Sequence, residues 1–263
     1  MKVTLSFPFS AGSLGFVHAM DDIHEQFLIA RKLGFDGVDY VATLPDLYIK
    51  PQKIQALSVE FGMPIRSIHV PMHLLLFTPS FVQKPLFTMF QSFPNAAVLN
   101  FHLSGFITPL NKNGKAARDF IANAKRQSVP ISFESNPLLK SLGKYPKVTY
   151  DPDMFAEFCI ENHVPITFDT AHVAHCNYNI VSFFKKYHKY IKLIHLSDSI
   201  GRVQHLPLGK GNLPIKALLL EIKKKSYNGV LTFEICNFPA SPTRKDKIKE
   251  IGKSFEMVKQ YAI

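Results

Sequence analysis

The chain has no tryptophan, only three cysteines in 263 residues, and 20 acidic against 31 basic side chains. The cysteines, Cys159, Cys176 and Cys236, are odd in number and widely spaced, with no CxxC pair. That pattern supports neither a disulfide framework nor a cysteine zinc site, and it leaves the thiols as packing residues. No run of about 18 uncharged apolar residues occurs, so no membrane span is expected. The N-terminal MKVTLSFPFSAGS places one lysine ahead of a short strand-like segment. It does not read as a signal peptide, and a soluble, cytoplasmic protein is expected. Neither GxGxxG nor GxxxxGKS/T is present, which removes the usual nucleotide-binding readings, and no nucleotide cofactor is expected. There is no short-period repeat, low-complexity tract or linker. With tryptophan absent, the 23 phenylalanines read as core filler rather than as a platform for stacking bases.

The formal charge of +11 favours a phosphorylated substrate or a nucleic acid through long-range attraction. Against this, many lysines fall on expected outer helices, as at Lys185, Lys186, Lys223, Lys224 and Lys225, where a solvated face accounts for them.

With 46% hydrophobic content the chain can bury one large core. A single-domain (β/α)8 barrel typically takes ~250 residues. The expected domain is therefore 1–263. Strands are predicted at Lys2–Phe7, Gly37–Val41, Ile65–Val70, Ala97–His102, Pro130–Glu134, Pro165–Asp169, from Ile191 onward, and Gly229–Glu234. Helices are predicted at Asp22–Leu33, Pro51–Phe61, Ser80–Phe93, Lys115–Gln127, Pro152–Asn162, Ile180–His188, Ile215–Lys225 and Pro242–Tyr261. Strands alternating with helices imply parallel pairing through crossovers, an α/β fold.

A closed barrel is separated from an open sheet by where the polar residues fall. His69, His102, Glu134, Asp169, His195 and Glu234 all lie at or near strand C-termini, and a TIM barrel brings such residues together at its C-terminal mouth. Glu134, Asp169, His195 and Glu234 then form a set of three carboxylates and one imidazole. This set suits Zn²⁺, Mn²⁺, Co²⁺ or Mg²⁺ and is too rich in oxygen for a structural zinc site. Without a cation, three packed carboxylates repel and at least one tends to keep its proton.

The motifs SIHVP, NFHLSG, SFESNP, TFDTAH, IHLSDS, HLPLGKG and TFEIC resemble those of the xylose-isomerase-like TIM barrels, a superfamily shared by sugar and sugar-phosphate isomerases and epimerases and by endonuclease IV. The resemblance spans essentially the whole chain. It implies that Glu134, Asp169, His195 and Glu234 carry the shared metal ion and that Glu134 and Glu234 are the paired acid and base. It further implies a sugar or sugar-phosphate substrate that reacts by proton transfer through a metal-stabilised enediolate. Arg202 and Lys210, in the loop that the resemblance sets beside substrate, are candidates to orient a substrate oxygen or phosphate; each can equally be a solvated loop charge. Asp198 reads as holding a neighbouring side chain.

The endonuclease side of the superfamily implies additional metal sites, with His69 and His102 joining Glu134 at one and His172 with His205 at another. His172 reads equally as a hydrogen-bond donor to a carboxylate. That pattern expects Asp-x-His where this chain has Val203-Gln204-His205, so the His172–His205 pair is expected to lack one ligand and hold zinc weakly. Two alternatives to the isomerase reading follow: a metal-dependent phosphodiester hydrolase acting on abasic DNA, and a metal-binding barrel without catalysis.

Overall fold

A computed structural model describes residues 1–6, 20–42, 51–70, 79–108, 111–238 and 243–263. Eight parallel strands close into a barrel: β1 (Lys2–Ser6), β2 (Gly37–Val41), β3 (Ile65–Val70), β4 (Val98–His102), β5 (Ile131–Glu134), β6 (Ile166–Asp169), β7 (Ile191–Leu196) and β10 (Val230–Glu234). They follow one another around the ring in chain order, with β10 joining β7 to β1. The numbering skips two because β7 is followed by an antiparallel hairpin of β8 (Asp198–Ile200) and β9 (Val203–Leu206), which the alternation of strand and helix in the sequence did not indicate.

The predicted strands agree with the observed ones to within a residue at each end, Phe7 lying outside the described residues. β5 and β6 begin one residue after Pro130 and Pro165. Each proline lacks an amide to donate, yet its carbonyl still accepts from the neighbouring strand, Leu99 N to Pro130 O at 2.9 Å and Phe133 N to Pro165 O at 3.1 Å. The helices that matter for the site are α1 (Met20–Leu33), α2 (Gln52–Glu60), α3 (Pro79–Gln91), α4 (Lys115–Arg126), the short α5 (Leu138–Leu142), α6 (Pro152–Glu161), the short α7 (Thr170–His175), α8 (Ile180–Tyr187), α9 (Ile215–Lys224) and α10 (Arg244–Ala262). α10 starts on a capping box between Thr243 and Asp246. No helix among the described residues is long and apolar enough to cross a membrane.

Phenylalanine fills the layer between strands and helices. Phe101, Phe106, Phe120 and Phe133 interlock with ring centroids 4.5–5.9 Å apart for the closest pairs, and Phe35 stacks on Phe255 at 4.4 Å. Each buried ring contributes roughly 1.5–3 kcal/mol through removal from water. The ring closes where β10 meets β1, and on its other side β1 pairs with β2. There the buried Gln26 of α1 donates from Nε2 to the carbonyls of Leu5 (2.6 Å) and Asp39 (2.8 Å), tying both strands to one side chain. Next to Gln26 in the same helix, Glu25 pairs with Arg244 (3.2 Å) and Lys247 (2.9 Å) of α10.

The barrel interior changes character along its axis. Val98, Leu193 and Val230 form a small apolar cluster inside the ring, separate from the main core. Above it lie hydroxyls and an amide: Thr4 and Thr232 share a hydrogen bond of 2.7 Å, as do Ser132 and Thr167. The mouth above these is lined by imidazoles and carboxylates.

Candidate active site and metal centre

Parallel register is what gathers the strand ends. His102 lies opposite Glu134, Asp169 opposite His195, His69 opposite Asn100, and Ser6 opposite Glu234. Partners in parallel register point to the same face of the sheet, so a polar residue at a strand terminus faces the mouth beside its neighbour.

Glu134 is fully buried at the centre. Asn100 Nδ2 donates to its Oε2 at 2.6 Å, and His195 Nδ1 lies 3.4 Å and His69 Nε2 3.7 Å from the same oxygen. Its other oxygen is 2.9 Å from His172 Nδ1, which also lies 3.0 Å from the Ser135 carbonyl. Glu234 Oε2 is 2.8 Å from His195 Nδ1, and Glu234 Oε1 is 3.6 Å from His69 Nδ1. The Nε2 atoms of His69 and His102 approach to 3.1 Å. Two ring nitrogens this close either share one proton or face a common cation.

The TFDTAH stretch explains the placing of Asp169 and His172. Asp169 caps α7, its Oδ1 accepting the His172 amide at 2.7 Å, which draws His172 back against the same carboxylate. Asp169 Oδ2, His69 Nδ1, His102 Nδ1 and His195 Nε2 are left without a hydrogen-bond partner among the described residues, while Glu134 Oε1 and Glu234 Oε2 face imidazole nitrogens at 2.9 and 2.8 Å. Buried polar atoms are rarely left this way in such number, and a divalent cation is the group this donor set fits. Glu134, Asp169, His195 and Glu234 bring ligand atoms within 4.8 Å of one another, as do His69, His102 and Glu134.

A third group, Asp169, His172 and His205, meets the same limit. The His172 and His205 rings stand 5.4 Å apart and edge-on, and Asp169, rather than position 203, where Val203 is half exposed on the hairpin, offers a third ligand atom beside them. His205 holds a left-handed backbone (φ 56°), which costs an L residue about 1 kcal/mol, and its Nδ1 lies 4.0 Å from Asp169 Oδ2 and from Glu234 Oε2.

The two glutamates differ in proton affinity. Burial opposes ionisation of Glu134, but the facing imidazoles of His102 and His195 outweigh it and hold the carboxyl well below the usual range. Burial also dominates at Glu234, and there His195 does not offset it, so the carboxyl is pushed up to about 8. His172 moves up to about 9 because the Asp169 and Glu134 carboxylates overcome its burial, whereas burial keeps His69, His102 and His205 below the ordinary imidazole value.

The HLPLGKG loop divides its work. His205 faces the cluster, but Lys210 turns outward to Glu250 of α10 at 3.2 Å, so it anchors the loop and does not reach the mouth. Arg202 is exposed at the hairpin turn. Asp198 holds backbone rather than a side chain: Oδ1 accepts the amides of Ser199 (2.8 Å) and Leu213 (3.1 Å), and Oδ2 accepts that of Gly209 (2.9 Å). Gly211 passes so close that a Cβ there would overlap Asp198 Oδ1 and the Ser199 carbonyl. Gly211→Ala is therefore expected to cost about 1–3 kcal/mol and lower the melting temperature by roughly 5 °C. A thermal scan with an unchanged midpoint would rule out this close packing. Two buried polar residues went unread in the sequence: Asn100, two positions before His102 on the same strand face, and Asp39, an acid in the middle of the apolar β2. In both cases the available signal was period-2 alternation within the strand.

Residues 27–261 match the family described as xylose isomerase-like TIM barrel. An uncharacterized protein of Methanocaldococcus jannaschii is 25% identical over 105 residues, 39% of this chain and 39% of its own length. Among solved structures, the barrel superposes on a 3-keto-D-glucoside 4-epimerase from E. coli with TM-score 0.69 at 17% identity, covering 99% of each chain. It superposes on a D-allulose 3-epimerase from Methylomonas sp. with TM-score 0.73 at 14% identity, covering 99% of this chain and 98% of that one. A xylose isomerase-like barrel protein from Mycobacterium smegmatis, solved in complex with magnesium, gives 0.63 at 15% identity over 91% and 89%. At these identities the structures establish likeness of fold. The match over 27–261 places the chain in a family, and this protein belongs to the xylose isomerase-like TIM barrels.

Proposed function

We propose that the protein is a divalent-metal-dependent isomerase or epimerase of a sugar or sugar phosphate. The observation that carries this reading is the pair Glu134 and Glu234, two buried carboxylates flanking His195 Nδ1 at 3.4 and 2.8 Å with opposite proton affinities. The similar folds of enzymes named for epimerising 3-keto-D-glucoside and D-allulose support it. Glu134, Asp169, His195 and Glu234 would hold the ion, which supplies Lewis-acid polarisation of a carbonyl and its neighbouring hydroxyl.

Glu134, kept ionised and oriented by Asn100, accepts the proton from the carbon next to the carbonyl. The electron pair moves toward the carbonyl oxygen to give an enediolate. Glu234 returns a proton to carbon, and delivery to the opposite face inverts that centre. His172, between Asp169 and Glu134, orients the base.

One observation favours a second reading. The groups His69–His102–Glu134 and Asp169–His172–His205 offer ligands for additional ions, an arrangement suited to phosphodiester hydrolysis of abasic DNA, and the +11 charge suits a polyanion. The two readings separate in one experiment, in which ketoses, aldoses and their phosphates are incubated in D₂O with the metal-loaded protein beside an abasic-site duplex. Deuterium entering a sugar next to its carbonyl is the expected result. Strand cleavage with no deuterium in any sugar would replace the isomerase reading with the hydrolase.

A further inference from the structure

Asp39 takes no part in the chemistry above, yet it is a fully buried carboxylate inside the barrel, on the strand across the ring from His195. Ser67 Oγ donates to its Oδ1 in a short hydrogen bond, while Oδ2 has no hydrogen-bond partner among the described residues. Ser6 is the second hydroxyl beside it, and a buried carboxylate with only neutral donors is costly and normally persists where a further donor faces it. The imidazoles facing it are those of His69 and His195, each with a ring nitrogen within 4.8 Å of the carboxylate.

The two rings are not equivalent. His69 Nδ1 already has an acceptor within reach, Glu234 Oε1 at 3.6 Å, and His69 Nε2 faces His102. His195 directs Nδ1 at Glu234 and Glu134, the carboxylates that share the proposed ion, and its Nε2 is buried with no acceptor. An imidazole that ligates through Nδ1 must carry its proton on Nε2, and that N–H needs a fixed acceptor to hold the tautomer and the ring plane. Asp39 Oδ2 and His195 Nε2 are both buried without a hydrogen-bond partner in this part of the barrel, as is His69 Nδ1, which instead faces Glu234 Oε1 at 3.6 Å.

We propose that Asp39 is the positioning residue for His195, accepting its Nε2–H across the barrel and so presenting an unprotonated Nδ1 to the ion at Glu134, Asp169 and Glu234. Ser67 holds the carboxylate in place from the other side. This rests on the ion-binding part of the reading above and not on the identity of the substrate.

The test uses the full-length protein, with zinc and manganese affinity measured by chelator competition, ion count by elemental analysis, and the His195 ring followed by ¹⁵N NMR. Asp39→Ala is expected to weaken the ion by ~10- to 100-fold at unchanged stoichiometry, with loss of the Nε2–H tautomer as the dominant form. Asp39→Asn keeps the shape and an acceptor oxygen. It should weaken the ion by less than ~10-fold and retain the tautomer, with the Nε2–H proton moved upfield. If Asp39→Ala does not fold, Asp39→Asn decides the matter, since an unchanged affinity together with an unchanged Nε2–H resonance would overturn the proposal. Loss of one ion per chain in either variant would also overturn it, because Asp39 would then be a ligand. Should wild type hold no ion, the reading of the site as a metal centre falls. In ion-free protein the His195 Nε2–H resonance is compared instead, and Asp39 is refuted as its acceptor if that resonance is the same in wild type and Asp39→Ala.

Discussion

Glu134→Gln is expected to lower turnover of the active sugar by ~10²-fold or more with the barrel still folded. Glutamine keeps the volume of the side chain and one oxygen that can face an ion, but it removes the basic group that takes the carbon-bound proton. The change falls on kcat rather than KM, since it acts at the proton-transfer step. Deuterium exchange from D₂O should fall in parallel. Asn100, which donates to Glu134 Oε2 at 2.6 Å, can turn its own amide to meet the glutamine, so folding is spared. Glu234→Gln should cost a comparable factor by removing the proton donor. Turnover within about threefold of wild type in both variants would remove these residues from the chemistry.

The second large effect concerns the ion. Three carboxylates, Glu134, Asp169 and Glu234, are buried at one mouth with no lysine or arginine paired to them among the described residues. Ions that bind only the folded state stabilise it by mass action, about 4 kcal/mol at a thousandfold excess over Kd. Chelation should therefore lower the melting temperature by roughly 10 °C in a chain of this size. The Asp169→Ala, His195→Ala double variant should lose the ion at the four-residue set and show no further change on chelation. An ion content equal to wild type in that variant would defeat the assignment. Affinity should also depend on pH with a definite sign. In the ion-free protein, burial keeps a proton on Glu234 up to about pH 8, and that proton must leave before the carboxylate can ligate. Read as apparent Kd from chelator competition, binding is expected to tighten as pH rises through neutrality and past about 8, because His195, whose proton affinity the Glu234 and Glu134 carboxylates raise, must also release a proton.

The barrel and most of its mouth were legible from local pattern. Alternating apolar runs end in His102, Glu134, Asp169 and Glu234 at the last residue of their strands and in His195 one before the last, and prolines mark the starts of β5 and β6. These signals are short in range, and the closed parallel topology converts them into a cluster with little further information. What the sequence could not express was anything set by residues distant along the chain. The β8–β9 hairpin depends on Asp198 gathering the amides of Gly209 and Leu213, 11 and 15 residues ahead. The six-residue α7 is too short to hold as an isolated helix, and it stands on the cap supplied by Asp169 and on its packing against the hairpin. Lys210 read equally as a substrate-facing charge and as a solvated loop charge, and its pairing with Glu250 of α10 was beyond local pattern. A carboxylate beside His172 and His205 is that of Asp169, which local spacing had already assigned to another set. Strand periodicity determined which residues face inward, because side chains alternate across a sheet. Which inward residues meet was decided only by closure of the ring, which sets Asp39 of β2 across from His195 of β7.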